Sequence, residues 1–403
     1  MAFATIGTKG IEDAAIATAD IADNAVTSAK TSGIPARPNA QALIINGSMA
    51  VAQRATSKAS ISGGGYNTVD RYQNNNAGAF IGTWTQTQES LSSGDAFNDG
   101  FAKSLKMDCT TANASPAANS SNWIQYGIEG QDLQLLKHGT ANAEKLTLSF
   151  WIKATKTGTN IVRLYKTDAD RSCSQAYTVS TTDTWEKKVL NFPADTSGAV
   201  IANDNTLGMG INFAIAMGSN FTSGTLATSW AANVSANDYV GQVNNADSTS
   251  NNWEITGVQL EVGEYSASTL PSFQHETYGD NLMRCRRYCN LHMNTDQNGG
   301  PFLNQCFAYT SSNWQSSLQL VPPMRAVPTV TSVSGSNYYV IFSNGGTVNY
   351  DQIDFNDATL SGGVCTVVDL ALDGASGGTA GHAGKTRGNQ TGAGTMCLFD
   401  SEL

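Results

Sequence analysis

Charge is scarce in this chain. Only 14% of its 403 residues are charged, and 33 Asp and Glu outweigh 23 Lys and Arg to give a formal net charge of −10. Sequence-independent nucleic-acid binding requires dense Lys and Arg, so that class is excluded. Long apolar runs are missing too. None approaches the roughly 20 residues that cross a bilayer, so no membrane insertion is expected. Met1-Ala2-Phe3-Ala4-Thr5 lacks the basic start and apolar core of a secretory signal. Cysteine is sparse, and its count of 7 is odd. No compact disulfide framework is evident, which implies reduced thiols and assembly in a bacterial cytoplasm. Enzyme signatures fail one by one. Gly392-Ala393-Gly394 begins a Gly-x-Gly, but Cys397 stands where the third glycine belongs. His275-Glu276 has no second histidine to complete a zinc-protease motif, and neither a phosphate-binding loop nor a Gly-x-Ser-x-Gly elbow occurs.

What is present is β pattern on a Thr-, Ser-, Asn- and Gly-rich background. Leu146, Leu148, Phe150 and Ile152 alternate with Thr147, Ser149, Trp151 and Lys153. Leu207, Met209, Ile211, Phe213, Ile215 and Met217 alternate with a nearly bare face of Gly208, Gly210, Asn212, Ala214, Ala216 and Gly218. A bare face implies that a loop, a neighbouring subunit or a ligand packs closely on it. Trp253, Ile255 and Gly257 share one face of a strand whose apolar series resumes at Val258, Leu260 and Val262 after a one-residue slip, as a β-bulge at Gly257 would produce. Glu254, Glu261 and Glu264 then read as solvated strand-edge charges. Many strands without a long amphipathic helix predict an all-β, jelly-roll-like sandwich over residues 41–275, closed by this strand. A neck follows at 276–294, holding the basic cluster Arg284, Arg286 and Arg287. A smaller C-terminal β tip domain occupies 295–403, with a Gly-rich loop at 374–394.

Residues 1–40 form an extended N-terminal segment. Ile6, Ile11, Ile16, Ile21 and Val26 recur every five residues. That period holds neither a helix face nor a strand face, so one chain has no simple way to bury it. Several chains wound about a common axis would bury it, a small pentapeptide coil is a second solution, and a disordered tail is the third. Pro35 and Pro38 mark a linker.

Several stretches resemble a module found in bacteriophage tail fibre proteins. They are Asn46-Gly47-Ser48-Met49 with Gln53-Arg54, Tyr66 through Asp70-Arg71-Tyr72, and Trp123 through Gly130. Leu146 through Lys153, Thr184 through Lys188 and Gly218 through Leu226 belong with them, as do Ile255 through Gly263, Arg284 through Tyr288 and Pro322 through Thr329. The resemblance covers about residues 41–330. Cys289 departs from it, since a second Tyr is usual there, and residues 331–403 match no pattern. It implies a structural particle protein with a sandwich similar to carbohydrate-binding modules, assembled as a homotrimer. Its N-terminus would join other virion proteins, and its C-terminal tip would contact a host surface polysaccharide.

Candidate chemistry is thin. Cys285, Cys289, His292 and Cys306 make a chemically sound zinc set. Asp168, Asp170, Asn203, Asp204 and Asn205 offer oxygens to calcium. The bland readings, thiols in a core and turn residues bonding their own backbone, outweigh both, so no metal or cofactor is expected. Asp351, Asp354 and Asp357 read as solvated turn carboxylates before they read as a glycosidase pair. Sugars lie on aromatic rings while amides and carboxylates bond their hydroxyls, so Tyr309, Trp314, Tyr338, Tyr339, Tyr350, Asp351 and Asp354 are the candidate glycan-binding residues. Tyr338 and Tyr339 are consecutive, so they point to opposite faces. The expectation is a non-catalytic fibre that attaches a virion to a host glycan. A polysaccharide-degrading tailspike, or a head fibre or decoration protein without a receptor role, stays open.

Overall fold

The computed structural model describes residues 41–294, 302–389 and 396–403. The five-residue repeat (Ile6, Ile11, Ile16, Ile21, Val26) and the linker at 31–40 lie outside the described residues. The described chain is nearly all β. Two antiparallel sheets pack face to face in its N-terminal part. In spatial order the first runs Ser57–Ile61, Thr83–Ser90, Lys103–Thr111, Asn252–Val262, Leu146–Ala154, Glu186–Phe192. The second runs Ala231–Ala232, Arg171–Val179, Gly158–Lys166, Leu207–Met217, Ser121–Glu129, Tyr72–Ala77, Gly65–Tyr66. Their facing side chains form one core, so the expected all-β sandwich is what the sequence builds. Phe150 of the first sheet meets Tyr177 and Phe213 of the second edge to face, at 5.1 and 5.2 Å between ring centres.

The strand Asn252–Val262 lies between Lys103–Thr111 and Leu146–Ala154, and its register against the latter slips between Thr256 and Gln259. Gly257 sits in the slip with φ at +63°. The bulge returns Val258, Leu260 and Val262 to the core already holding Trp253 and Ile255. It also frees a donor: the Val258 amide donates 2.9 Å to the Gly47 carbonyl, docking the entering loop on the sheet. The expected solvation of Glu254 fails here because the strand is central and not an edge. Glu254 is buried, holding Lys153 and the Ser104 hydroxyl at 2.6 Å each. Gln259 is buried as well, and its amide donates to Glu261 and to the Pro271 carbonyl.

The bare face of Leu207–Met217 is covered by the chain's own loops. A Cβ on Gly208 would meet the Gly130 Cα at 2.6 Å, and one on Gly218 the Ala117 carbonyl at 2.2 Å. Ala214 packs with Ile161, Tyr239, Phe221 and Leu226. The alternation has a fault that the sequence hides. The register shifts between Ala214 and Ala216, so Ala216 joins the main core and Met217 the outer cluster.

The basic cluster lies on a short helix, Tyr278–Arg286, capped by Thr277, whose hydroxyl accepts from the Asp280 amide at 3.2 Å. Its last turn carries Arg284 and Arg286, where cations meet the negative end of the helix dipole. Cys285 and Tyr288 pack it against Ile45 and Val51 of the sandwich. The next strand, Cys289–Asn294, already pairs with Met396–Asp400, which pairs in turn with Thr329–Ser332. This three-stranded sheet shares a core with a seven-stranded one, ordered Gly346–Tyr350, Tyr339–Ser343, Ala383–Gly388, Phe302–Thr310, Asn313–Met324, Val364–Asp373, Gln352–Ser361. Within the expected Gly-rich loop, Ala383–Gly388 is thus a strand. Its glycine has a packing cause, since a Cβ on Gly384 would meet Ile341 at 2.6 Å and Trp314 at 2.9 Å.

Gly257→Ala places a Cβ 2.7 Å from the Phe101 ring on a left-handed backbone, and is expected to destabilise by about 1–3 kcal/mol. Gly279→Ala, in open space on the helix, is expected to gain about 0.5–1 kcal/mol. Urea unfolding midpoints of the two variants should therefore move in opposite directions.

Candidate functional site

Two surfaces qualify. One is a cleft of about 710 Å³ where the sandwich, the helix and the C-terminal unit meet, lined by Leu43, Tyr126, Ile128, Met283, Pro322 and Val364 among others. Its arginines are occupied. The Glu129 carboxylate accepts from Arg287 Nε and Nη2 at 2.8 and 2.7 Å and from the Tyr288 hydroxyl at 2.6 Å. Arg71, fully buried, pairs with Glu402, donates 2.7 Å to the Gly127 carbonyl and lies 3.4 Å from the Tyr288 ring centre. Arg284 pairs with Glu276 and donates to the Ala42 carbonyl. Arg325 donates to the Ser401, Glu402 and Asn205 carbonyls at 2.8–2.9 Å. The basic cluster of the neck is thus bound within its own chain at Arg284 and Arg287. This cleft is a joint.

The other surface is the outer face of the seven-stranded sheet. Cys306 and Ala308 enter the core, so Gln305, Phe307 and Tyr309 alternate outward. Phe302, Phe307 and Tyr309 are 51, 41 and 64% exposed, and Phe342 on Tyr339–Ser343 is 39% exposed. Phe342 lies opposite Lys385, and Lys385 opposite Gln305. Phe302, Phe342, Lys385 and Gln305, with Asn304 and Asn344, border a shallow groove of about 600 Å³, and Phe307 and Tyr309 stand outside it on the same face. Two tight turns shape the sheet's outer hairpins. Asn344 and Gly345 have φ of +48° and +75°, and Gly362 and Gly363 of +60° and +81°. Paired positive φ angles fit two-residue turns that match strand twist. The Asn-Gly dipeptide is itself a hairpin signal, and it marks the strand pair that carries Phe342.

Of the expected glycan residues, Tyr309 alone among the rings stands on this face largely exposed. Trp314, Tyr339 and Tyr350 are at most 1% exposed and belong to the core, with Tyr339 and Tyr350 stacked at 5.0 Å. A ring with no open face cannot receive a sugar, so these three are corrected from binding to packing residues. Tyr338 is half-buried against that core. Asp351 accepts from the Asn337 amide and Asp354 from Gln352, both near the far edge strand. Phe302, Phe307, Phe342 and Lys385 were missed, although Lys385-Thr386-Arg387 alternates as a strand should.

The proposed metal sets are not gathered. Among the described residues no group of three or more His, Cys, Asp or Glu stands ready for an ion. Cys285 packs under the helix and Cys306 in the C-terminal core, while His292 bonds the Leu303 carbonyl at 2.9 Å. Asp168 accepts from the Ala202 amide, Asp170 from the Tyr165 hydroxyl and Asp204 from Thr206. All seven cysteines are buried and unbridged.

No known protein family matches this chain, and no curated protein does. Three solved structures are similar at low level. One is the enzymatically active domain of tailspike protein 4 of bacteriophage CBA120, at 13% identity and a TM-score of 0.28, over 55% of this chain and 21% of that one. Another is a Bacteroides thetaiotaomicron protein described as sugar-binding, at 14% and 0.30, over 55% of this chain and all of that one. The third is a carbohydrate-binding module of family 4, at 12% and 0.20, over 40% and 70%. Likeness of this degree transfers neither ligand nor activity.

Burial alone would raise the Glu129 carboxyl, but its bonds from Arg287 and Tyr288 outweigh burial and hold it below the usual 4.5. A depressed carboxyl stabilises the fold above its unfolded value and loses that contribution as pH falls through the folded one. Glu129→Gln is therefore expected to lower stability by about 3 kcal/mol at pH 7 and to flatten the decline below pH 4.5, read from unfolding midpoints across pH.

Proposed function

We propose that this chain is a non-catalytic bacteriophage fibre protein that attaches a virion to a host-surface glycan through the outer face of its C-terminal sheet. The observation that carries this reading is the grouping of Phe302, Phe307, Tyr309 and Phe342 on one exposed sheet face. Exposed rings on a sheet supply flat apolar area at little entropic cost. The neighbouring amides of Asn304, Gln305 and Asn344 supply donors and acceptors for hydroxyls. A shallow groove suits a weak, repeated contact. Three copies per fibre and many fibres per particle raise avidity, because each later contact is intramolecular. The N-terminal repeat serves assembly with other virion proteins and the threefold stalk.

Truncation of the C-terminal unit would be a poor test, because Glu402 and Ser401 hold Arg71 and Arg325 in the joint. Substitution on the outer face is cleaner. Phe302→Ala with Phe342→Ala should reduce retention on a glycan array by tenfold or more while near-ultraviolet circular dichroism stays unchanged. Undiminished retention rules the face out. Light scattering on the purified full chain should report three copies of the 42.4 kDa subunit, and a clean monomer removes the trimeric fibre.

A further inference from the structure

We infer that the glycan recognised at this face is acidic, carrying carboxylate, sulfate or phosphate groups. This rests on the outer face being the glycan site and adds the ligand's charge class to it.

The groove carries a cation, and none of its lining residues is acidic. That is notable in a chain with 33 Asp and Glu against 23 Lys and Arg. Lys385 projects from the strand Ala383–Gly388 between Phe342 on one neighbour and Gln305 on the other. Its ammonium lies 3.5 Å from the centre of the Phe302 ring. Two residues on, with the same outward parity, the Arg387 guanidinium lies 4.4 Å from the Phe342 ring centre. The two cations cross over, each leaning on an aromatic of the opposite neighbouring strand. Among the described residues Lys385 makes no ion pair with a carboxylate.

A cation laid on a ring face is held in position by the ring's quadrupole, yet a ring leaves its formal charge uncancelled. A sugar lying along Phe302 and Phe342 would bring its substituents against Lys385. An anionic substituent there accepts charge-assisted hydrogen bonds, roughly twice as strong as those to a neutral hydroxyl. A neutral sugar would instead strip water from the ammonium and return only ordinary bonds. The overall charge of −10 sharpens the argument. A net negative protein repels an acidic polymer at long range, so docking needs a place where local cations offset that field. The carboxylates of this sheet face sit beyond intervening strands: Asp369 bonds Ser317 and Asn356, and Asp354 bonds Gln352. The face is therefore basic on one side and acidic toward the other, which gives a bound acidic chain a direction.

The test uses the full-length protein on an array of sialylated, uronic-acid-containing, sulfated and phosphorylated glycans printed beside their neutral parents. Retention is expected on acidic members, with their neutral parents bound at least tenfold more weakly. It should fall as salt rises from 50 to 500 mM, since the cations are exposed and screened. Lys385→Gln should weaken acidic binding by roughly ten- to a hundredfold and leave light scattering unchanged. Equal binding of the neutral parents, unaffected by Lys385→Gln but abolished by Phe302→Ala, overturns the acidic class and leaves the glycan site standing. Binding unaffected by Phe302→Ala and Phe342→Ala overturns the site itself. So does an array without retained glycans, or a change of oligomeric state in Phe342→Ala, which would make this face an interface between copies.

Discussion

The buried pairing of Arg71 with Glu402 governs how the two halves of the molecule meet. A guanidinium taken fully out of water is strongly penalised unless its charge and its donors are met. Here the Glu402 carboxylate, the Gly127 carbonyl and the stacked Tyr288 ring meet the charge and both terminal nitrogens, while Nε is buried without a hydrogen-bond partner. Each comes from a different part of the chain: the C-terminus, the sandwich and the end of the neck helix. The site is satisfied only when all three are assembled. Beside it, Glu129 is equally buried and equally dependent on Arg287 and Tyr288. Such pairs add little net stability over apolar packing, but half of one is costly. They therefore act mainly to forbid other arrangements, and they fix the direction in which the outer sheet face points.

The joint also gathers the stretches on which the expected resemblance to fibre proteins was placed. Gln53-Arg54, Tyr66, Asp70-Arg71, Tyr126 through Glu129, Arg287-Tyr288 and Arg325 were scattered signatures along the sequence. In space they converge. Gln53 bonds Asp70 and the Cys289 carbonyl, Arg54 meets Asp400, and Tyr66 donates to the Leu403 carbonyl. Residue identity matters at such a place because every atom of a buried charge needs a specific partner. A single sequence shows the signatures but not their meeting point, since partners as far apart as Arg71 and Glu402 share no local pattern.

Periodicity performed well wherever a strand had one apolar face. It located the sandwich strands, and it located the bulge at Gly257 from a one-residue slip. It could not show what the bulge does, because the freed Val258 amide finds its acceptor at Gly47, more than two hundred residues away. It also misjudged polar residues on strands covered on both sides. Glu254 has the pattern of a solvated charge, yet it is enclosed with Lys153 and Ser104. Burial of both faces is a property of strand order in the sheet, and order is not written in any one strand.

The outer face was the least legible part, for a reason that bears on function. Aromatics point out on Phe302–Thr310, in on its neighbour Asn313–Met324 and both ways on Tyr339–Ser343, so composition alone cannot separate Trp314 from Phe307. Parity had to be anchored, and the anchor, Lys385-Thr386-Arg387, lay inside a stretch whose glycines suggested a loop. Gly384 is there because Trp314 and Ile341 press on its backbone, which places the strand in the sheet's interior and leaves its cations outside. Exposed residues of this kind change folding free energy by about half a kcal/mol or less. The joint fixes orientation through buried charges that are costly to replace one at a time, while exposed residues on the face it presents vary at little cost to the fold. The proposed glycan face has that physical freedom, and alternation without a fixed parity leaves little local pattern by which to read it.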